Sequence, residues 1–339
     1  MLLKHGKYGG RVEKKYVFQK RICELAKYLY AAFGRQMEVN MNQQEMDGDK
    51  ILKKVGWALF WMVFSTLGSQ IIISYVTRHI FAEFYYSEWF VGILSIFTTA
   101  GIGYPVFFAA MRRIPDTEYG EPAKLTLRQF LAAYFICTAF MYISNIVGTY
   151  ISELIKGKEA ANPLEDFLAS SNIIIILIYV ALFAPVFEEL VFRKVLLNKL
   201  RRFGDVPAIL LSAFAFGLIH MNISQFFYAS TIGILFGYIA IRTNSVRYTI
   251  LLHMIINLIG SVVAPMVVLA DNQGVWVNIF GLWVITSMVA GLILFVKSRK
   301  GILLEKGEVQ VERRSEYILH TGTVLFLLIC GAMLAISFI

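Results

Sequence analysis

Residues 184–193, APVFEELVFR, set two adjacent carboxylates and an arginine inside an apolar run. A charged side chain at the centre of a spanning helix costs roughly 2.5–3.5 kcal/mol to insert, and Glu188, Glu189 and Arg193 multiply that cost. A chain keeps such a cluster when the groups pair, line a cavity and carry out a task. Glu189 and Arg193 stand four residues apart, on one face of a helix, and are expected to form an ion pair. The helical period turns Glu188 about 100° away from its neighbour. One glutamate is thus expected to be held and the other presented, with the rest of the chain built around them as a bundle.

The composition supports a bundle in lipid. The 339 residues are 58% hydrophobic and 16% charged, where a soluble domain carries about a quarter charged residues. Apolar runs long enough to span a bilayer fall near 55–76, 89–111, 130–151, 172–187 and beyond, 206–220, 226–241, 248–268, 275–296 and 317–339. The net charge of +9 reads as a topology signal. With the N-terminus inside, the cytoplasmic loops hold Arg112, Arg113, Lys124 and Arg128, then Lys199, Arg201 and Arg202, then Arg242 and Arg247, then Lys297, Arg299, Lys300, Arg313 and Arg314. The outer loops, such as 153–166 and 271–274, are acidic, mixed or nearly uncharged. The expected fold is all-α, a polytopic transmembrane bundle of about 8–9 helices with a cytoplasmic N-terminus.

The chain divides accordingly into a basic cytoplasmic segment (1–50), N-terminal membrane helices (51–171), a core (172–262) and C-terminal helices (263–339), of which 275–339 reads as a hairpin. Within the first segment, Phe18, Ile22, Leu25, Leu29 and Phe33 recur at helical spacing among Lys14, Lys20, Arg21 and Lys27. That pattern fits an amphipathic helix on the inner leaflet or a solvated cytoplasmic helix. Residues 38–50 read as a polar linker. The first 50 residues lack an apolar stretch with a small-residue cleavage site, so no cleaved signal peptide is expected. Cys23, Cys137 and Cys330 are too far apart for a disulfide framework or a zinc knuckle. No basic stretch alternates with aromatics on a nucleic-acid-binding pattern, so no nucleic-acid partner is expected.

The fourth run does not stop at the carboxylates. Leu190, Val191, Phe192, Val195, Leu196, Leu197 and Leu200 continue the helical pattern, and a helix over 172–202 would be about 45 Å long. Pro185 is expected to kink it and to free a backbone carbonyl near Glu188. Two further polar groupings lie in later runs: Phe216 to His220 (FGLIH), and His253 to Asn257 (HMIIN) with histidine and asparagine on one face. Taken singly, a membrane histidine or asparagine is an interhelical hydrogen bonder. In combination, six polar residues on three apolar segments point to one shared site.

In this order, EExxxR, FxxxH and HxxxN resemble the CPBP family, the intramembrane CAAX-type proteases and the bacteriocin-processing or self-immunity proteins called Abi proteins. The resemblance covers about residues 172–262. It implies endoproteolysis within the membrane or at its cytoplasmic face, with a prenylated C-terminal CAAX peptide as substrate in the eukaryotic members. Peptide hydrolysis needs an activated water, a holder for the oxyanion and a proton for the leaving amine. Carried onto this sequence, Glu188 and His220 activate the water, and His253 and Asn257 hold the oxyanion. Glu189, Arg193 and Phe216 support them. Zinc on Glu188, His220 and His253 is the competing mechanism, but no HExxH helix is present and a metal-free glutamate mechanism is expected. The implied partners are the lipid bilayer and a membrane-associated protein or peptide. In a bacterial plasma membrane, the expected location, a peptide precursor or bacteriocin leader suits better than a prenylated protein. The alternatives in other classes are a non-catalytic scaffold or immunity protein and a transporter that moves ions through the same cluster.

Overall fold

The computed structural model describes residues 48–117, 120–156, 171–270, 273–307, 309 and 320–336. The amphipathic helix expected at 13–33 and residues 38–47 of the linker lie outside the described residues. The linker's last residues, Gly48, Asp49 and Lys50, are helical: they open α1, with Asp49 in the first turn, where a carboxylate complements the helix dipole.

The protein is an integral, multi-pass, all-α bundle. Its main helices are α1 (Gly48–Ile80), α2 (Phe90–Met111), α3 (Leu127–Lys156), α4 (Ile173–Phe203), α5 (Asp205–Leu218), α6 (Ile223–Thr243), α7 (Arg247–Leu269), α8 (Gln273–Ser298) and α9 (Thr321–Ile336). All except α5 and α9 are long and apolar enough to cross a membrane, seven among the described residues. The 14 residues of α5 rise only about 21 Å, short of a hydrocarbon core of about 30 Å. That segment ends at Leu218 rather than running on to 220. His220 therefore sits in the turn between α5 and α6, where Met221 takes a left-handed φ of 51° and Asn222 caps α6 through Gln225 N–H.

The long fourth helix is continuous, as its pattern indicates, and it is central: α2, α5, α6 and α7 all pack on it. Flanking pairs enclose this centre. The terminal helix α9 packs along α1, and α8 packs along α3, which in turn lies on α6. Within the stretch 275–339 read as a hairpin, the two helices take different partners: α8 lies along α3, and small residues let α9 approach α1 closely. A Cβ at Gly322 would lie 2.5 Å from Trp57 N, and one at Gly56 would lie 2.7 Å from Thr323 N, so these backbones meet at a separation larger residues forbid.

Intramembrane prolines mark changes of helical register. Pro105, Pro185 and Pro265 each stand in the first turn of an α-helical segment, directly after the π-helical stretches Thr99–Gly103, Ile176–Phe183 and Ile259–Val263. In an α-helix the proline ring clashes with the carbonyl four residues back and its missing N–H orphans that carbonyl. The wider register relieves the clash, and the helix continues where a kink is otherwise expected.

At its C-terminal end, α4 is fixed by polar contacts. Lys199 Nζ binds Ile114 O and Asp116 Oδ1, the latter at 2.8 Å, and Thr117 meets Asn198. The turn into α5 passes through Gly204 at φ 104°, where Gly204 bridges to Lys306 and Asp205 N–H donates to Glu305 O at 3.0 Å. Asp205 Oδ2 accepts from Glu305 N–H in return, at 2.9 Å.

Candidate active site

The two glutamates lie at the end of an α-helical turn, Ala184–Glu189, that separates two π-helical stretches of α4. Adjacent positions on such a turn point apart, and their environments differ. The Glu189 side chain is sealed from solvent, whereas that of Glu188 retains 15% exposure. Arg193 Nε approaches Glu189 Oε2 at 3.4 Å, the ion pair read from the four-residue spacing. Both members are buried, and such a pair is costly to break because the survivor is an uncompensated charge.

From α7, His253 reaches both carboxylates. Its Nδ1 lies 3.1 Å from Glu189 Oε1 and its Nε2 lies 3.7 Å from Glu188 Oε2. The first is a hydrogen bond, so Nδ1 carries a proton toward the sealed carboxylate. The second is beyond hydrogen-bond length and has room for a shared group. Thr249, one turn before His253 and fully buried, donates its hydroxyl to Val246 O at 3.0 Å and lies within electrostatic reach of the Glu189 carboxylate.

His220 is oriented differently. Its Nδ1 meets Phe216 O at 2.8 Å, which assigns the proton to Nδ1 and leaves the Nε2 lone pair for the site. Its ring lies within electrostatic reach of Glu188. Three tyrosines, Tyr104, Tyr179 and Tyr228, also lie within reach of the Glu188 charge. Tyr104 and Tyr179 line a small cleft between α2 and α4 with Thr99, Phe183 and Phe187.

Asn257 Nδ2 donates to Val180 O at 2.9 Å. The need for that bond follows from Pro185. In the π-helical register Ala184 N–H is committed to Tyr179 O, and the donor due at Val180 O is residue 185, which has no N–H. The carbonyl expected to be freed near Pro185 is thus Val180 O, and Asn257 serves it with one of its two amide hydrogens.

Phe216 packs its ring under Arg193, with Cζ 4.2 Å from the ring centroid, and meets the His220 ring edge-on at 5.0 Å. The resemblance gave Phe216 a supporting role, and the geometry sets its ring against Arg193 and His220. Thr249 and Phe236 were not singled out from the sequence. Thr249 carried a signal, since it extends the four-residue spacing of His253 and Asn257 by one turn. Phe236 carried none, being one apolar residue among many in its run.

Among the described residues no three His, Cys, Asp or Glu side chains converge as a metal site requires. His253 Nδ1 is turned to Glu189 and its Nε2 lies 3.7 Å from Glu188 Oε2, and the steps below are derived from these side chains alone.

Among the comparisons with known proteins, a family model falls on this same segment. Residues 170–259 match the family model described as type II CAAX prenyl endopeptidase Rce1-like. Over 157 residues, 45% of this chain, the sequence is 22% identical to a Bacillus subtilis (strain 168) protein described as "Putative membrane peptidase YdiL". The chain spans 64% of that relative's length. No solved structure matches. EExxxR, FxxxH and HxxxN all lie inside the matched residues, and it is over this segment that the chain is similar to the CAAX-type endopeptidase family.

Proposed function

We propose that this protein is an intramembrane endopeptidase of glutamate type, which hydrolyses a peptide bond of a membrane-associated protein or peptide precursor without a metal. The observation that carries the reading is one imidazole set between two carboxylates of unequal exposure: His253 is 3.1 Å from the sealed Glu189 and 3.7 Å from the accessible Glu188. The matched family description and the relative's name support the same reaction class.

The chemistry follows from donors and acceptors. A water has two hydrogens, and the Glu188 carboxylate and the His220 Nε2 lone pair are two acceptors that hold it with its own lone pair toward the scissile carbonyl. Glu188 takes one proton as the water oxygen bonds to the carbonyl carbon. The oxyanion that forms accepts from the second amide hydrogen of Asn257 and from Nε2–H of His253 as the imidazolium, with its Nδ1–H kept on Glu189. Glu188 then passes its proton to the amine as the C–N bond breaks, and the carboxylate is restored. Arg193 and Glu189 neutralise each other, which leaves Glu188 as the accessible carboxylate of the pair.

The test is cleavage of a peptide library by the full-length protein in detergent, read by mass spectrometry, with and without a zinc chelator. The library holds members with and without a C-terminal lipid, which separates CAAX-like processing from bacteriocin or peptide maturation. Cleavage that is lost in Glu188→Gln and indifferent to chelator supports the proposal. Loss on chelation overturns the metal-free mechanism, and no cleavage of any member by the wild type overturns the peptidase reading in favour of a scaffold, immunity or transport role.

A further inference from the structure

Arg193 is held in an unusual way. It is 2% exposed, and none of its three guanidinium nitrogens has a hydrogen-bond partner among the described residues. Its approach to Glu189 is a single contact at 3.4 Å, outside good hydrogen-bond geometry. What lies against the guanidinium instead is aromatic: the Phe216 ring at 4.2 Å from Cζ and the Phe236 ring at 5.7 Å. A ring face is negative and attracts a cation, the more so where water is excluded.

The two rings come from different helices and also contact the histidines. Phe216 meets His253 at 5.9 Å between centroids, perpendicular, and Phe236 meets it at 5.5 Å. Both phenylalanines are fully or almost fully buried. The depth of Phe236 is set by the neighbouring Gly233, at which a Cβ would lie 2.8 Å from Ala213 Cα, so α6 sits close enough to α5 to bring the ring over the site.

We infer that Phe216 and Phe236 are positioning residues: their faces hold Arg193 as a desolvated cation, and their edges and faces fix the His253 ring against Glu189. The role in catalysis rests on the peptidase reading; the role in holding the rings does not. Phe236 is the more informative residue, because it lies outside all three motifs.

The test replaces each phenylalanine, in the full-length protein, by mono-, di- and trifluorophenylalanine, which weakens the ring face in steps at nearly constant shape. Two readouts are taken. The first is the spectrum of 15N-labelled histidine, with the His253 signals assigned by their loss in His253→Gln. The second is kcat and KM on a library peptide that the wild type cleaves. We expect the His253 signals to move stepwise with fluorination, more at Phe216 than at Phe236 because the cation is nearer. We expect kcat to fall by about tenfold across the Phe216 series with KM within about twofold. Thermal melting in detergent checks that each variant is folded, and the monofluoro members keep the series interpretable if the trifluoro ones are not. His253 signals that do not respond to fluorination at either position overturn the inference. Signals that respond while the wild type cleaves nothing uphold the cradle and overturn the peptidase reading alone.

Discussion

Replacing Asn257 by leucine should destabilise the bundle, and restoring a backbone donor at position 185 should remove most of that cost. In the native structure Val180 O is served by Asn257 Nδ2 at 2.9 Å, because Ala184 N–H goes to Tyr179 O and Pro185 has none to give. Asn257→Leu leaves that carbonyl alone in an apolar surround. An orphaned buried acceptor costs about 1–3 kcal/mol, and polar contacts between membrane helices measure at about 0.6 kcal/mol on average with a maximum near 1.7, so about 1–1.5 kcal/mol is expected. Pro185→Ala supplies the missing N–H in the π-helical register; if the segment relaxes to an α-helix, Ala184 N–H serves Val180 O instead. Either way Asn257→Leu should cost less than about 0.5 kcal/mol in the Pro185→Ala background, a coupling of about 1 kcal/mol. The assay is a double-mutant cycle on purified protein, unfolded reversibly by titrating an anionic detergent into mixed micelles. Additive costs, with a coupling below about 0.3 kcal/mol, would refute the claim that proline created the need for asparagine.

Other outcomes follow from the same geometry. Arg193→Leu and Glu189→Leu should each lower detergent stability by about 3–5 kcal/mol, and the double substitution should cost less than either, because a buried lone charge is worse than none; equal or larger loss in the double mutant would contradict this. Gly204→Ala should cost about 1–2 kcal/mol by the same titration, since φ 104° is unfavourable for a side chain and a Cβ there would lie 2.9 Å from Gly307 N. Gly322→Leu should reduce thermal stability by about 1–3 kcal/mol by prying α9 from α1, and an unchanged melting temperature would show that the close approach is not required.

The site was legible because charge in lipid is conspicuous. Glu188, Glu189 and Arg193 break an apolar run, and the four-residue spacing gives the ion pair that the structure contains. The same logic gathered His253 and Asn257 onto one face of α7. Two things were out of reach. Helix ends in a membrane protein are set by local capping against a uniformly apolar background, so the fifth run extended through 220 in the sequence while α5 stops at Leu218 and His220 lies in a turn. Partners across helices were the other. Nothing in HMIIN says that asparagine answers a carbonyl 77 residues earlier, though Pro185 announced that some group must. Phe236 shows the limit: an apolar residue in an apolar helix has no sequence mark to distinguish a wall of the site from ordinary packing.

The most direct measurement compares Glu188→Gln with Glu189→Gln for peptide cleavage and thermal melting, using a library peptide that the wild-type protein cuts. Glu188→Gln should lose about 10²-fold or more in rate with an unchanged melting temperature, because it removes an accessible base and little packing. Glu189→Gln should lower the melting temperature, because it leaves Arg193 buried without its counter-charge. Cleavage by Glu188→Gln at the wild-type rate would contradict the account at its centre.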